Sequence, residues 1–179
     1  MKNKALFLDR DGTLNYDSHY LREPDKLVVI EGAREAMRIA RDLGYRLYLV
    51  TNQSGVNRGM LTLDDVHACN KRLLQELDLG DDLFAGISIA PERPDEPSEY
   101  RKPSPKYLLE MIKRDDLDPA ACYMVGDRES DWLCGVNAGV QSIALRTGKD
   151  ITEKAQLVLD VHGIPLYGTI LDFVHTLDR

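Results

Sequence analysis

Short apolar runs alternate along this chain with segments whose apolar residues recur every three or four positions. The runs KALFLD (4–9), YRLYLVTN (45–52), FAGISIA (84–90), AACYMVG (120–126) and VQSIALR (140–146) are brief and bounded by turn residues, and they read as buried strands. AQLVLD (155–160) is expected as a sixth strand on the same grounds. Between them, GAREAMRIARDLG (32–44) puts Ala33, Met37, Ala40 and Leu43 at helical spacing, with Gly44 placed to end the helix. LTLDDVHACNKRLLQELDLG (61–80) predicts a longer helix. Thr62 is its N-cap, Asp65 stands at the third position after it, and Leu73, Leu74 and Leu77 supply the apolar face. Further helices are expected over 104–115, with Pro105 in the first turn, and over 130–139 and 167–177. Residues 15–32 read as an irregular flap or short hairpin. Residues 91–105 read as a loop that carries five of the eight prolines.

Strands alternating with helices predict an α/β fold: a doubly wound, Rossmann-like parallel sheet with helices on both faces and right-handed crossovers. Residues 1–179 are expected to form a single domain, since no repeat, low-complexity tract or second-domain boundary interrupts the pattern. Composition narrows the partners more than the fold. With 43% hydrophobic and 30% charged residues the chain is ordinary for a soluble protein, and its formal charge of −7 argues against non-specific nucleic-acid binding. Cys69, Cys122 and Cys134 stand far apart and form no C-x-x-C, so they read as thiols of a reducing compartment. No run is long enough to span a membrane, and the N-terminus lacks the pattern of a signal peptide; a cytoplasmic location and a monomer are expected.

In a doubly wound sheet, ligands bind beyond the carboxyl ends of the strands. The first predicted strand ends in Asp9-Arg10-Asp11-Gly12-Thr13 and the second in Thr51-Asn52-Gln53-Ser54-Gly55. The third leads to Arg101-Lys102-Pro103, and the fourth ends in Gly126-Asp127-Arg128-Glu129-Ser130-Asp131. Taken singly, each has a plain alternative: Asp-Gly after a strand is a common turn, and Arg-Lys-Pro a solvated charge pair. Together they bring acids, a hydroxyl and a lysine to one sheet edge. Asp9, Asp11 and Asp127 offer hard oxygen ligands suited to magnesium, and clustered acids call for a cation. Thr51, Lys102 and nearby amides can hold phosphate oxygens, which completes a set suited to phosphoryl transfer.

This set resembles the four motifs of the haloacid dehalogenase superfamily of aspartate-nucleophile phosphatases. FLDRDGTLN, VTNQSGVNRGM, RKPSP, YMVGDRESDWLCGVNAG and LRTGK resemble the histidinol-phosphate and heptose-bisphosphate phosphatase subgroup, the heptose enzymes more closely. The resemblance runs from Phe7 to about Lys149 and implies the roles that follow. Asp9 would be the nucleophile that forms an aspartyl-phosphate, and Asp11 would protonate the leaving alcohol and then deprotonate water. Magnesium would be held by Asp9, the main-chain carbonyl of Asp11, and Asp127. Thr51 and Lys102 would stabilise the phosphoryl group, and Asp131 would orient Lys102 or metal-bound water. Asp17, Ser18, His19, Tyr20, Asn52, Gln53, Ser54, Arg101 and Arg128 would touch substrate. Arg58 reads equally as a contact to a second phosphate and as a solvated loop arginine.

The chain departs from that subgroup in one place. Where the subgroup carries a Cys-x-His and a Cys-x-Cys zinc loop, this sequence has Ala90, Glu92, Ser98 and Tyr100, so no zinc is expected. Pro91, Pro94 and Pro97 are expected to stiffen the loop instead. No large insertion provides a cap domain. The expected activity is magnesium-dependent hydrolysis of a small phosphorylated metabolite, a heptose bisphosphate or related sugar phosphate. Histidinol phosphate, a nucleic-acid 3′-phosphate and a non-catalytic phosphate-binding role stand as alternatives.

Overall fold

The computed structural model describes residues 3–177. Its centre is a six-stranded parallel sheet built from β1 (Asn3–Leu8), β2 (Tyr45–Asn52), β3 (Phe84–Ala90), β4 (Leu117–Gly126), β5 (Gln141–Leu145) and β6 (Leu166–Tyr167), in the order β3-β2-β1-β4-β5-β6. Helices α1 (Ala33–Asp42), α2 (Leu63–Leu77), α3 (Lys106–Arg114), α4 (Glu129–Ala138), α5 (Glu153–His162) and α6 (Ile170–Val174) cover it.

Residues Ala5 to Leu8 are wholly buried, as expected of a central strand covered on both faces. The period of two then sorts their side chains. Leu6 and Leu8 join Leu47 and Leu49 in a core beneath α1, α2 and α6. Ala5 and Phe7 join Tyr48 and Val50 against residues of α3 and α4, and the Phe7 and Tyr48 rings stack with centroids 4.8 Å apart. The second helix is capped as expected: the Thr62 hydroxyl accepts the Asp65 N–H, and the Asp65 carboxylate accepts the Thr62 N–H. Pro105 sits one position earlier than expected, at the N-cap of α3.

One element differs in kind. The run 155–160 is not a strand but lies inside α5. The Thr152 hydroxyl caps this helix by accepting the Ala155 N–H, and Gly163 ends it at φ 62°. Ala155 and Leu159, four apart, are buried, whereas Leu157 and Val161 are exposed. A brief apolar run cannot distinguish the two periods unaided, and the caps outside it decide. The sixth strand is instead the two-residue β6. Residues 15–32 form a wide irregular loop. It is closed at its base by hydrogen bonds from the Tyr16 N–H to the Val28 carbonyl and from the Ile30 N–H to the Leu14 carbonyl, each 2.9 Å. Leu21, Leu27 and Ile30 anchor it in the core.

β1 sends the chain to β2 on one side, while β4 lies on its other side. The order in which strands are added therefore reverses between β1 and β4, although all run parallel. The connections that leave the two strands turn to opposite faces of the sheet there and leave a crevice. Asp9 and Asp127 are the residues that follow those two strands.

Candidate active site

The crevice floor is a buried group of charges. Asp9, Lys102, Asp127 and Asp131 are each no more than 6% exposed. The Lys102 ammonium stands 2.7 Å from Asp9 Oδ1 and 2.7 Å from Asp131 Oδ1, and it donates to the Val50 carbonyl at 2.6 Å. Asn52 fixes the lysine's main chain: its amide accepts the Lys102 N–H at 3.0 Å and donates to the Lys102 carbonyl at 3.1 Å. Burial lowers the tendency of Lys102 to carry charge, yet the Asp131 and Asp9 carboxylates outweigh it and hold its pKa above the ordinary lysine range.

Three carboxylates around one lysine leave the floor short of positive charge. Burial, then the Asp131 charge, push the Asp9 carboxyl up to about 8 against the pull of Lys102. Burial and Asp131 push Asp127 up to about 6. Carboxylate oxygens of Asp9, Asp127 and Asp131 lie within 4.8 Å of one another. Asp131 is already engaged by Lys102 and by the Arg128 N–H at 3.0 Å. Asp127 uses only Oδ2, which accepts the Lys149 N–H at 2.8 Å, while its Oδ1 is buried without a hydrogen-bond partner. An unpartnered buried carboxylate oxygen within a cluster of three acids suits a hard divalent cation.

Glycines make room for this arrangement. A Cβ on Gly12 would fall 2.6 Å from Asp127 Oδ2, and one on Gly148 would fall 1.9 Å from it. Gly12 also has φ +83°, which turns the chain just after Asp11.

Asp11 stands beside the floor and receives donors from three side chains. Arg10 forks onto it from Nη2, 2.9 Å from Oδ2 and 3.1 Å from Oδ1, with Nε 3.2 Å from Oδ1. Asn15 donates to Oδ1 at 2.9 Å, and Gln53 donates to Oδ2 at 2.8 Å. Gln53 also donates to the Thr51 hydroxyl at 2.8 Å, which ties the first two motifs together.

Above the floor the crevice widens to a cleft of about 210 Å³. Its wall holds Asp17, His19, Tyr20, Asn52, Gln53, Ser54, Arg101 and Arg128 among the expected contacts. Thr51 and Asp127 lie beneath the wall, buried, and Ser18 and Arg58 lie outside it, exposed. The rim is tied by ion pairs. Asp17 Oδ2 stands 2.7 Å from Arg128 Nη2 and 2.9 Å from Lys149 Nζ. Partial burial raises the Asp17 carboxyl, but the Lys149 and His19 hydrogen bonds and the Arg128 charge bring it below the usual range. His19 and Tyr20 both take the left-handed conformation, at φ 44° and 56°.

On the opposite rim, the loop after β3 is clasped by an acid. Glu96 accepts the Arg93 N–H at 2.7 Å and the Asn57 amide at 2.9 Å, and pairs with the Arg93 guanidinium at 3.1 Å. Arg101 donates to the Glu92 carbonyl at 2.8 Å, which turns its charge toward the cleft wall.

Lys149, Ser130 and Arg10 were not singled out from the sequence as site residues. Lys149 had a readable signal, since RTGK follows a predicted strand at the same sheet edge. The Thr147 hydroxyl donates to the Gly12 carbonyl at 2.6 Å and closes that loop over the first motif. Arg10 had no such signal, because an arginine between two acids reads as solvated.

A model of the HAD-hydrolase-like family matches residues 99–163. The D-glycero-beta-D-manno-heptose-1,7-bisphosphate 7-phosphatase of Pasteurella multocida is 42% identical over 158 residues, covering 84% of this chain and 85% of that protein. The enzyme of the same name from Haemophilus influenzae is 38% identical and covers 99% of this chain and 98% of its own. Among solved structures, the D,D-heptose 1,7-bisphosphate phosphatase of B. bronchiseptica, complexed with magnesium and phosphate, superposes with a TM-score of 0.83 at 25% identity, covering 96% of each chain.

Proposed function

This chain is a phosphatase of the haloacid dehalogenase-like family, and we propose that it removes one phosphate from a heptose bisphosphate through an aspartyl-phosphate on Asp9, with magnesium as its cation. The observation that carries the reading is the floor itself: a buried carboxylate held 2.7 Å from a buried lysine at the sheet's reversal, beside an unpartnered carboxylate oxygen.

Asp9 and Asp127, with the main-chain carbonyl of Asp11, would hold the magnesium, which when bound supplies positive charge against the phosphoryl oxygens and keeps Asp9 ionised. Asp9 attacks phosphorus, and the bond from phosphorus to the sugar oxygen breaks. Asp11 gives that oxygen its proton, so the sugar leaves as an alcohol. Water then attacks the aspartyl-phosphate, Asp11 takes its proton, and inorganic phosphate departs from a regenerated Asp9. Lys102 and Thr51 balance the charge on the transferring group, and Asp131 holds Lys102 in place.

The substrate reading rests on the relatives' names together with the rim. Arg101, Arg128 and Lys149 line the same cleft and suit a second phosphate on the same small molecule. A single domain, with no inserted cap among the described residues, leaves selectivity to these rim loops.

Phosphate release measured on a panel of phosphorylated metabolites, with magnesium and with EDTA, tests both halves. A heptose 1,7-bisphosphate should give the highest kcat/KM, and Asp9→Asn should lower turnover by about a thousandfold or more. Histidinol phosphate outperforming every sugar phosphate would overturn the substrate, and an active Asp9→Asn enzyme would overturn the nucleophile.

A further inference from the structure

Arg10 is a fully buried arginine whose ion-pair partner, among the described residues, is its own neighbour Asp11. Its third arm is held from elsewhere. Nη1 donates at 3.0 Å to Asn70 Oδ1, on the inner face of α2, sixty residues away. Asn70 is itself 4% exposed, and its Nδ2 is buried with no hydrogen-bond partner. Leaving a buried amide nitrogen unpaired costs on the order of 1–3 kcal/mol, so packing alone would favour an apolar residue at this position. Oδ1 is the atom of Asn70 that is satisfied, and Arg10 satisfies it.

Building on Asp11 as the proton shuttle, we infer that Asn70 and Arg10 are positioning residues for that shuttle: α2 holds the Arg10 fork, and the fork sets the rotamer of the Asp11 carboxyl. Three features support this. A guanidinium fork has fixed geometry, so pinning one arm fixes the other two. Arg10 cannot drift, because it is buried and its carbonyl accepts the N–H groups of Thr13, Leu14 and Asn15 at 3.3, 2.9 and 3.2 Å. Asn15 and Gln53 meet the same carboxyl from other directions, so Asp11 has one seat. A shuttle displaced by about 1 Å can lose up to a hundredfold in rate.

The test uses leaving groups. Asp11 must protonate a sugar alkoxide, whereas p-nitrophenolate leaves without a proton. Because kcat/KM reports events up to departure of the alcohol, it separates the two cases. Asn70→Ala should lower kcat/KM for the preferred sugar phosphate by about tenfold or more and that for p-nitrophenyl phosphate by about twofold or less. Asn70→Asp, which keeps an acceptor for Arg10, should restore most of the loss. Equal losses on both substrates, or no loss, would overturn the inference. Where Asn70→Ala does not fold, Arg10→Lys, which keeps the charge and removes the fork, must show the same split. Asp11→Asn serves as the reference. A split in Asp11→Asn without one in either positioning variant rejects the relay alone. No split in Asp11→Asn rejects the shuttle reading beneath it.

Discussion

The floor and the rim of the cleft are built on opposite terms. On the floor, Asp9, Lys102, Asp127 and Asp131 are sequestered from water, and a lysine with two carboxylates at 2.7 Å is held further by a main-chain carbonyl and an asparagine clamp. On the rim, Asp17, Arg128 and Lys149 form ion pairs that solvent reaches, on loops with little regular structure. Buried charges interact strongly and tolerate no missing partner, whereas exposed pairs contribute little and exchange partners readily. The floor is thus suited to one unvarying reaction. The rim is suited to trading its internal partners for those of a substrate: the carboxylate of Asp17 occupies cations that a phosphate could claim.

Removing Lys102 should separate the two regions most sharply. Lys102→Ala leaves Asp9 and Asp131 buried without their cation. Turnover should fall by about a hundredfold to a thousandfold. Chemical denaturation of the metal-free protein should show a loss of roughly 3–5 kcal/mol. A variant with native stability and altered KM alone would make the floor behave like the rim.

The next effect concerns pH and metal. Asp9 and Asp127 are raised to about 8 and about 6 in the fold, from 3.8. Their folded pKa values exceed the unfolded ones, so the stability they contribute is complete below about pH 4 and is lost as pH rises through 6 and 8. Magnesium held as proposed would bind the ionised carboxylates and should oppose that loss. Saturating magnesium should shift Tm little at pH 5 and by on the order of 5 °C at pH 8. A shift that is flat or shrinks over this interval would contradict the assignment of Asp9 and Asp127 to the cation.

The smallest effect belongs to the rim. Lys149→Ala removes a side chain that pairs with Asp17 and leaves intact the N–H that Asp127 accepts. KM for a sugar bisphosphate should rise by about tenfold, the value of one charge-assisted hydrogen bond, with kcat within about twofold. The KM of a sugar monophosphate should change less. Equal changes for both would remove Lys149 from contact with a second phosphate.

The same division governs what could be read in advance. Asp9 and Asp127 follow their strands directly and Thr51 is the last residue but one of β2, so the strand pattern and the residues at its ends locate the three together. Lys102 comes at the end of a loop, yet Asn52, the residue after Thr51, draws it in. The position of Asn52 was legible but its use was not: both polar atoms of its amide are spent on the main chain of Lys102. Arg10 escaped because burial of a charge depends on a partner brought from α2, a distance that no local spacing encodes. The run 155–160 misled for a related reason, since its period was settled by Thr152 and Gly163 outside it.

The position of β1 bears on how a newly made chain matures. This central strand pairs on one side with β2 and on the other with β4, Leu6 aligning with Leu47 and with Tyr123. As the chain leaves the ribosome, Asp9 emerges with β1, yet the strand that closes the second edge of β1 follows more than a hundred residues later. Until then Asp9 has neither Asp127 nor Asp131 beside it, and β1 offers an open edge. Synthesis order therefore makes completion of the sheet and assembly of the catalytic charges a single late event, and partial chains ending before β4 should be both inactive and prone to associate through that edge.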